Sequence, residues 1–309
     1  MGPFKRFSRR EFVERGLFIP TAAMFGAGLT LAEGAAPGRI ERPEGSNIKL
    51  SLNAYSFNRP LRQGEMTLDE LLALSAELNF AAVDLTGYYF PGYPEPPDDV
   101  FLNEIKRTAY YYGLAISGTG IRNNFADPSE ANRRKDIAHI RKWVEVAARM
   151  GAPTLRVFAG GELPEGYTRA EATNWVVESL AECVEFGKEH GIVLTLQNHA
   201  NFLKTPDHVL EILERVDSDW LALNLDIGSF RSQDPFAEIE RMAPYAVTWQ
   251  IKEQMYFGDK PTTTDLARIV EIIRNAGFRG YILVETLGEG DPKIKVPRFL
   301  DAVRAALAA

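Results

Sequence analysis

Four apolar segments of the chain each end in a polar side chain that could bind a metal ion or move a proton. They end at Gln197, Asp226, Gln250 and Glu285, in the contexts TLQNH, LNLD, TWQIK and ILVE. A carboxylate at an apolar strand end is costly unless it is paired or bound to a cation. Asp226 and Glu285 both fit that description, and two such groups close together favour a divalent metal ion. One such residue could simply cap the following helix, but four equivalent ends favour a functional site.

Two further side chains near these ends are suited to proton transfer. His199 lies two residues beyond Gln197, so in extended backbone it points to the same side and could serve as general base or nitrogen ligand. Lys252 lies two residues beyond Gln250 and is predicted to project inward, where its ammonium could stabilise an oxygen that gains negative charge. The alternatives are a loop histidine bonded to backbone and a solvated lysine.

These residues are positioned by a strand and helix alternation that occurs eight times from residue 48 onward. The predicted strands cover 49–55, 80–85, 114–118, 153–158, 192–197, 221–226, 246–251 and 280–285. Apolar residues recur between them at three- and four-residue spacing, which is typical of helices with one buried face. A parallel sheet needs both faces covered, so we predict an α/β fold, a closed (β/α)8 TIM barrel. An open doubly wound sheet is disfavoured because no Gly-rich phosphate motif follows the first strand. Active sites of such barrels lie at the carboxyl ends of the strands, where these polar residues are found.

The ends of the earlier strands carry groups that suit a polyhydroxylated ligand. The candidate substrate contacts are Asn53, Tyr88, Arg122, Arg156 and Asn198. The aromatic loop 88–94 could form a stacking lid or pack as a structural Ω-loop. Either arginine could bind a phosphate or form a buried structural pair.

The N-terminal residues are predicted to be a targeting signal. The adjacent pair Arg9 and Arg10 precedes a moderately apolar stretch and small residues, as in twin-arginine export signals. We therefore predict a signal peptide over 1–36, a linker over 37–47 and the barrel over 48–309. This assignment implies recognition by the twin-arginine export machinery and a periplasmic or otherwise exported protein. The alternative is a soluble tail or a membrane anchor, and a stable anchor is disfavoured because the stretch is rich in Gly and Ala and contains a proline. Phosphorylated sugars are scarce in the periplasm, so a neutral sugar is favoured.

Composition excludes several classes of protein. The chain has 309 residues, of which 45% are hydrophobic and 25% charged, which is an ordinary globular composition. The balance of 35 basic and 42 acidic residues, a net charge of -7, argues against a nucleic-acid-binding surface. The single cysteine, Cys183, excludes an intrachain disulfide and a cysteine-built zinc site. A homo-oligomer is left open.

The strand ends TLQNH, LNLD, WQIKEQ and ILVETLG resemble those of the xylose isomerase-like TIM barrels, the sugar phosphate isomerase/epimerase superfamily. The resemblance extends over residues 48–305. It implies one divalent ion, Mn²⁺, Mg²⁺ or a similar hard cation, held by Glu, Asp, His and Glu on strands five to eight. The matching positions are Gln197, Asp226, Gln250 and Glu285. Glutamine offers an uncharged oxygen, so two of the four positions imply weaker metal binding. A scheme with two glutamates as paired acid and base cannot operate with Gln197.

The sequence and the resemblance together predict a metal-dependent sugar isomerase or epimerase. It would act by proton abstraction next to the carbonyl of a neutral keto-sugar, with Glu285 or His199 moving the proton and Lys252 stabilising the oxygen. A keto-sugar (3-keto-glycoside) lyase or hydrolase is the first alternative, because it needs one base rather than two. A non-catalytic periplasmic sugar-binding protein is the second. DNA endonuclease activity is disfavoured by the acidic charge, by the export signal and by the absence of the extra metal-binding histidines of a trinuclear site.

Overall fold

The computed structural model describes residues 39–199 and 202–309. The predicted signal peptide and the first two residues of the predicted linker lie outside the described residues. The described part of the linker runs along the barrel: the Ile40 amide donates a hydrogen bond to the Pro244 carbonyl at 3.1 Å, and the Arg42 guanidinium donates one to the Ala246 carbonyl. Within 39–199 and 202–309, no helix is both long enough and apolar enough to cross a membrane.

Eight parallel strands close into a barrel. In chain order the strands are β1 (Asn47–Asn53), β2 (Ala82–Thr86), β3 (Ala115–Gly120), β4 (Thr154–Val157), β5 (Val193–Gln197), β6 (Leu221–Asp226), β7 (Ala246–Lys252), the antiparallel hairpin β8 (Gln254–Phe257) and β9 (Lys260–Thr263), and β10 (Arg279–Glu285). The barrel order is β1-β10-β7-β6-β5-β4-β3-β2, with the hairpin outside it. This confirms the predicted (β/α)8 barrel. The hairpin was not predicted, because its strands QMYF and KPTT are only four residues long and the second is polar.

Helices surround the barrel. They are α1 (Asn58–Gln63), α2 (Leu68–Glu77), α3 (Asp99–Tyr111), α4 (Glu130–Met150), α5 (Arg169–His190), α6 (Pro206–Val216), α7 (Pro235–Met242), α8 (Leu266–Asn275) and α9 (Pro292–Ala308). Polar side chains cap the amino ends of all these helices except α1; the Thr168 hydroxyl, for example, accepts from the Glu171 amide in a capping box. Gly151 and Gly191 end α4 and α5 in the left-handed conformation, which glycine adopts without steric cost.

The strands that carry the candidate site are buried on both faces. Every residue of β2 and of β6 is buried, as expected where helices cover a parallel sheet. Asp84 in β2 and Asp226 at the end of β6 are therefore buried carboxylates. The side chains around each carboxylate determine how readily it binds a proton.

Candidate active site

A cavity of about 1350 Å³ opens at the carboxyl ends of the barrel strands. Its floor is formed by strand-end side chains, namely Asn53, Asp84, Arg156, Gln197, Asp226, Gln250, Lys252 and Glu285. The hairpin β8/β9 contributes Gln254, Tyr256 and Thr263 to one wall. The volume is larger than the usual range for small-molecule sites, so a sugar with an attached group fits.

A buried ion-pair cluster lies on the cavity floor. The Lys252 Nζ is 2.6 Å from Asp226 Oδ2 and 3.1 Å from Glu285 Oε2. Glu285 pairs in register with Lys252 across β10 and β7, which brings their side chains to the same level of the barrel. The Asp226 and Glu285 side chains are 1% and 3% exposed, and that of Lys252 is 15% exposed. We call Lys252, Asp226 and Glu285 the lysine–carboxylate cluster.

The cluster fixes its own charges. Burial alone would lower the pKa of Lys252, but the two carboxylates raise the pKa above its usual range, so the ammonium persists. Burial opposes ionisation of Asp226, but Lys252 and hydrogen bonds to the carboxylate lower its pKa. Burial and the nearby Asp226 raise the pKa of Glu285, against the opposing effect of Lys252. The two carboxylates therefore differ in their affinity for a proton.

Amide side chains hold the cluster in place. Gln197 donates from Nε2 to Asp226 Oδ2 at 2.7 Å, and the Gly228 amide donates to Asp226 Oδ1 at 2.9 Å. Gln250 accepts from Asn224 Nδ2 at 3.2 Å, and its hydrogen bond to Glu285 lowers the pKa of that carboxyl group. The structure thus brings the four predicted ligand positions together at one point.

These four residues do not fit a divalent cation. Both oxygens of Asp226 already accept hydrogen bonds from N–H groups, and Lys252 contacts both carboxylates. A dication about 4 Å from the ammonium would meet roughly 8 kcal/mol of repulsion at an effective dielectric constant of about 20. Among the described residues, no group of three or more His, Cys, Asp or Glu side chains could hold a metal ion. The resemblance implies a divalent ion between these residues, whereas here the Lys252 ammonium contacts both carboxylates.

Asn198 has a different role from the substrate contact that was predicted. It is fully buried, and its Nδ2 donates to the Asp226 carbonyl at 2.9 Å while its Oδ1 accepts from the Asp226 amide at 2.7 Å. Both polar atoms of the Asn198 side chain therefore form hydrogen bonds to the backbone of Asp226. Asn198 positions the end of β6 and does not line the cavity, because it points to the opposite side of the chain from Gln197.

Asp84 is a carboxylate at the cavity that is not among the predicted catalytic, metal-binding or substrate-binding residues. It lines the cavity, is 8% exposed and has no hydrogen bond or ion pair with any described residue. Burial raises its pKa to about 6, with Arg156 opposing this shift and Glu285 adding to it. Asp84 lies in the middle of the buried strand AVDLT, so a carboxylate inside an apolar strand is the sequence signal by which it could have been found.

An aromatic and guanidinium wall faces the cluster. Arg156 donates to the Tyr88 hydroxyl at 3.1 Å and to the Ile121 carbonyl at 2.7 Å, and it lies over the Phe158 ring at 4.3 Å. Arg122 lies over the Tyr88 ring, with its guanidinium carbon 5.0 Å from the ring centre. Such planar groups suit the faces and hydroxyls of a sugar.

Within the aromatic loop 88–94, only Tyr88 lines the cavity. Phe90 is buried, and the Phe90 and Tyr93 rings each pack 5.5 Å from the Trp143 ring of α4. The loop is therefore packed against the helices, which agrees with the structural Ω-loop and not with a stacking lid.

The remaining predicted residues also lie at the cavity. Asn53 caps the turn after β1 by accepting from the Tyr55 amide at 2.9 Å. His199 is half-buried with its ring 5.2 Å from that of Phe158, and burial lowers its pKa. It remains mainly neutral near pH 7, so it can accept a proton. The catalytic and binding roles of all these residues stay predictions.

Comparison with known proteins identifies the family to which the barrel belongs. Residues 72–305 match the family described as xylose isomerase-like TIM barrel. The C-glycoside deglycosidase alpha subunit of Arthrobacter globiformis is 27% identical over 186 residues, 57% of this chain and 46% of that subunit. The chain spans about half the length of the curated relatives it matches.

Two solved structures share the fold. A D-psicose 3-epimerase from Clostridium cellulolyticum H10 has a TM-score of 0.70 at 15% identity, covering 84% of this chain and 99% of that one. A 3-keto-D-glucoside 4-epimerase from E. coli has a TM-score of 0.67 at 15% identity, with the same coverage of 84% and 99%. At this identity the likeness shows the fold alone. The family match extends over most of the barrel, and the chain therefore belongs to the xylose isomerase-like TIM barrel family.

Proposed function

We propose that this protein isomerises or epimerises a neutral keto-sugar by removing a proton next to the carbonyl group. The observation that carries the proposal is the Lys252 ammonium, held by Asp226 and Glu285 on the floor of a large cavity. A preorganised donor in a water-poor site stabilises an oxygen that gains negative charge. Support also comes from the names of the similar proteins, which are epimerases of keto-sugars and a C-glycoside deglycosidase.

The reaction begins with the sugar carbonyl oxygen accepting a hydrogen bond from Lys252. Glu285 lines the cavity, and burial and the nearby Asp226 raise its pKa, so its carboxylate can take the proton from the adjacent carbon. The C–H electron pair forms the enolate double bond, and the negative charge moves to the oxygen that faces Lys252. Isomerisation follows when the hydroxyl proton of the deprotonated carbon moves to the former carbonyl oxygen and Glu285 returns its proton to the former carbonyl carbon. Epimerisation follows when His199, having taken up a proton from solvent, donates it to the opposite face of the deprotonated carbon, and Glu285 releases its own proton to solvent.

The wall opposite the cluster would orient the sugar. Tyr88 and Arg122 offer an aromatic face and a guanidinium, and Asn53 offers an amide at the edge of the floor. Arg156 is held by its own hydrogen bonds, so its role is to hold the Tyr88 ring in position. These groups favour recognition of hydroxyl groups over a single charged group.

A second candidate function is a 3-keto-glycoside lyase or hydrolase, and Asp84 favours it. After Glu285 removes the proton, the electron pair could form a double bond while the adjacent C–O bond breaks. The leaving oxygen then needs a proton, which Asp84 can supply because burial raises its pKa to about 6. This route uses one base and one acid, and Gln197 does not impair it.

Solvent deuterium exchange tests the proposed function. The protein is incubated in D2O with ketohexoses and with 3-keto-glucosides, and the products are followed by NMR and mass spectrometry. We expect deuterium next to the carbonyl, with unchanged carbon skeletons for an isomerase and cleaved glycosides for a lyase. Asp84→Asn should abolish cleavage and spare exchange if the lyase route operates.

The decisive variant for this test is Glu285→Gln. We expect it to lower the exchange rate roughly 10²–10⁴-fold without loss of fold. Glu182→Gln is the matched control, because Glu182 also contacts two cations but lies on the outer helices. Tight sugar binding without exchange would instead identify a sugar-binding protein, and unchanged exchange in Glu285→Gln would remove its assigned role.

Export is a separate proposal that rests on Arg9 and Arg10. A fusion of residues 1–47 to a reporter that functions only outside the cytoplasm should be active, and Arg9→Lys with Arg10→Lys should abolish that activity. An unaffected double variant would contradict the proposed route.

A further inference from the structure

We infer that the Lys252 ammonium takes the place of a divalent metal ion at the centre of this barrel. The site therefore uses a charge carried by its own chain and binds no dication. The inference concerns the cation of the site and does not depend on which sugar, if any, the protein converts.

The number of donors on Lys252 fits this role. An ammonium group has three N–H donors. Asp226 Oδ2 and Glu285 Oε2 lie within 2.6 and 3.1 Å of Nζ, which accounts for two of them. Lys252 also lines the cavity, so the third donor can reach a ligand oxygen there. The lysine can thus hold both carboxylates and a substrate oxygen, the contacts that a resident cation would make.

The charge balance also favours the lysine. Two carboxylates and one ammonium leave the cluster with a net charge of -1, and the two amides that complete the floor, Gln197 and Gln250, add none. A second, doubly charged cation would have to displace the ammonium from both carboxylates. That displacement leaves a buried, unpaired ammonium, which is strongly unfavourable.

The backbone around the cluster is shaped for the lysine stem. A Cβ atom at Gly228 would lie 2.9 Å from Lys252 Cδ, closer than a side chain tolerates. Gly228 follows β6 by two residues, and its amide also donates to Asp226 Oδ1 at 2.9 Å. At the other side, the Thr264 hydroxyl donates to the Lys252 carbonyl at 2.7 Å and holds the end of β7. The stem is thereby directed into the cluster from both sides.

Mn²⁺ binding to the intact protein tests the inference without any substrate. Binding is measured by calorimetry and by the shift in melting temperature, with wild type, Lys252→Met and Lys142→Met. We expect wild type to show no saturable binding up to about 1 mM Mn²⁺ and no thermal shift. Lys252→Met frees the two carboxylates, so it should bind Mn²⁺ stoichiometrically, at least about tenfold more tightly than wild type, and melt at a higher temperature in its presence.

The control separates loss of this ammonium from loss of any lysine charge. Lys142 forms a 2.6 Å pair with Glu95 on the exposed surface, and Lys142→Met should behave as wild type. Stoichiometric Mn²⁺ binding by wild type would overturn the inference, and so would a Lys252→Met variant that gains no affinity. If Lys252→Met does not fold, Lys252→Gln is used, and the wild-type titration alone remains decisive. A protein that shows these metal properties but no exchange with any keto-sugar would overturn the proposed function and leave this inference standing.

Discussion

Two ion pairs of this protein have the same N–O distance of 2.6 Å and differ in their exposure to water. Lys142 and Glu95 lie on the outer surface with side chains 50% and 68% exposed. Lys252 and Asp226 lie on the cavity floor with side chains 15% and 1% exposed. Water screens the first pair, whose contribution to stability is about 0–1 kcal/mol. The second pair is largely buried and is held by the Gln197 side chain and the Gly228 amide, and this burial strengthens the interaction of its charges with a ligand.

The largest difference between the two pairs is expected in the free energy of unfolding that is lost when the lysine is removed. We expect Lys252→Met to lower the free energy of unfolding by about 3–5 kcal/mol, because it leaves two buried carboxylates without a counter-charge. Lys142→Met should lower it by no more than about 1 kcal/mol. Denaturant unfolding near neutral pH, without divalent ions, measures both. Similar small losses in the two variants would show that burial does not distinguish the pairs.

A double-mutant cycle sharpens the comparison. Once Asp226→Asn has removed one carboxylate, Lys252→Met should cost less, with a coupling energy of about 1–3 kcal/mol between the two positions. The same cycle for Lys142 and Glu95 should give a coupling below about 1 kcal/mol. Equal couplings in the two cycles would contradict the assignment of the cluster as a cooperative unit.

Asp84 provides a pH-dependent contrast with an exposed aspartate. Its pKa is raised from 3.8 to about 6, so the folded state binds more protons than the unfolded state between these pH values, and stability falls as pH rises through them. Asp84→Asn removes this penalty. Its stability relative to wild type should therefore improve by up to about 3 kcal/mol between pH about 4 and about 6.5.

The control for this shift is Asp99→Asn. Asp99 pairs with Arg149 at 2.6 Å on the exposed surface, and this variant should change the free energy of unfolding by no more than about 1 kcal/mol. A pH-independent difference for Asp84→Asn would show that the Asp84 carboxyl group is ionised as usual in the folded protein.

The smallest change in the free energy of unfolding is expected for a substitution in an ion-pair network on the outer surface. Glu182 contacts Arg134 at 2.5 Å and Arg141 at 2.9 Å, yet all three side chains are at least one third exposed. Glu182→Gln should change the free energy of unfolding by less than about 1 kcal/mol, by denaturant unfolding at physiological salt. A larger loss would mean that a surface network of this kind is as strongly coupled as the buried cluster.

Much of the fold could be predicted from the sequence because its signals are local. Apolar periodicity identified eight strands, and the glycines that end α4 and α5 marked two of the turns between units. The convergence of Gln197, Asp226, Gln250 and Glu285 followed from the rule that parallel strands end on one side of a barrel. These inferences needed no knowledge of side-chain conformations.

The remaining features depend on details that periodicity does not contain. Lys252 was predicted to point inward, but its contact with both carboxylates depends on barrel closure and on the space at Gly228. Asn198 follows Gln197 directly, and alternation turns it toward the backbone of β6. Asp84 has no hydrogen bond to a described residue because Arg156 donates to the Ile121 carbonyl and the Tyr88 hydroxyl and not to Asp84. The sequence alone does not indicate which of these acceptors Arg156 contacts.

The rate of deuterium exchange next to the carbonyl of a keto-sugar, measured before and after treatment with a strong chelator, tests whether Lys252 or a metal ion supplies the positive charge. We expect chelator-treated wild type to keep its full rate and Lys252→Met to be slower by roughly 10²-fold or more. Exchange that disappears with the chelator and returns with Mn²⁺ would contradict the claim that Lys252 supplies the charge of this site.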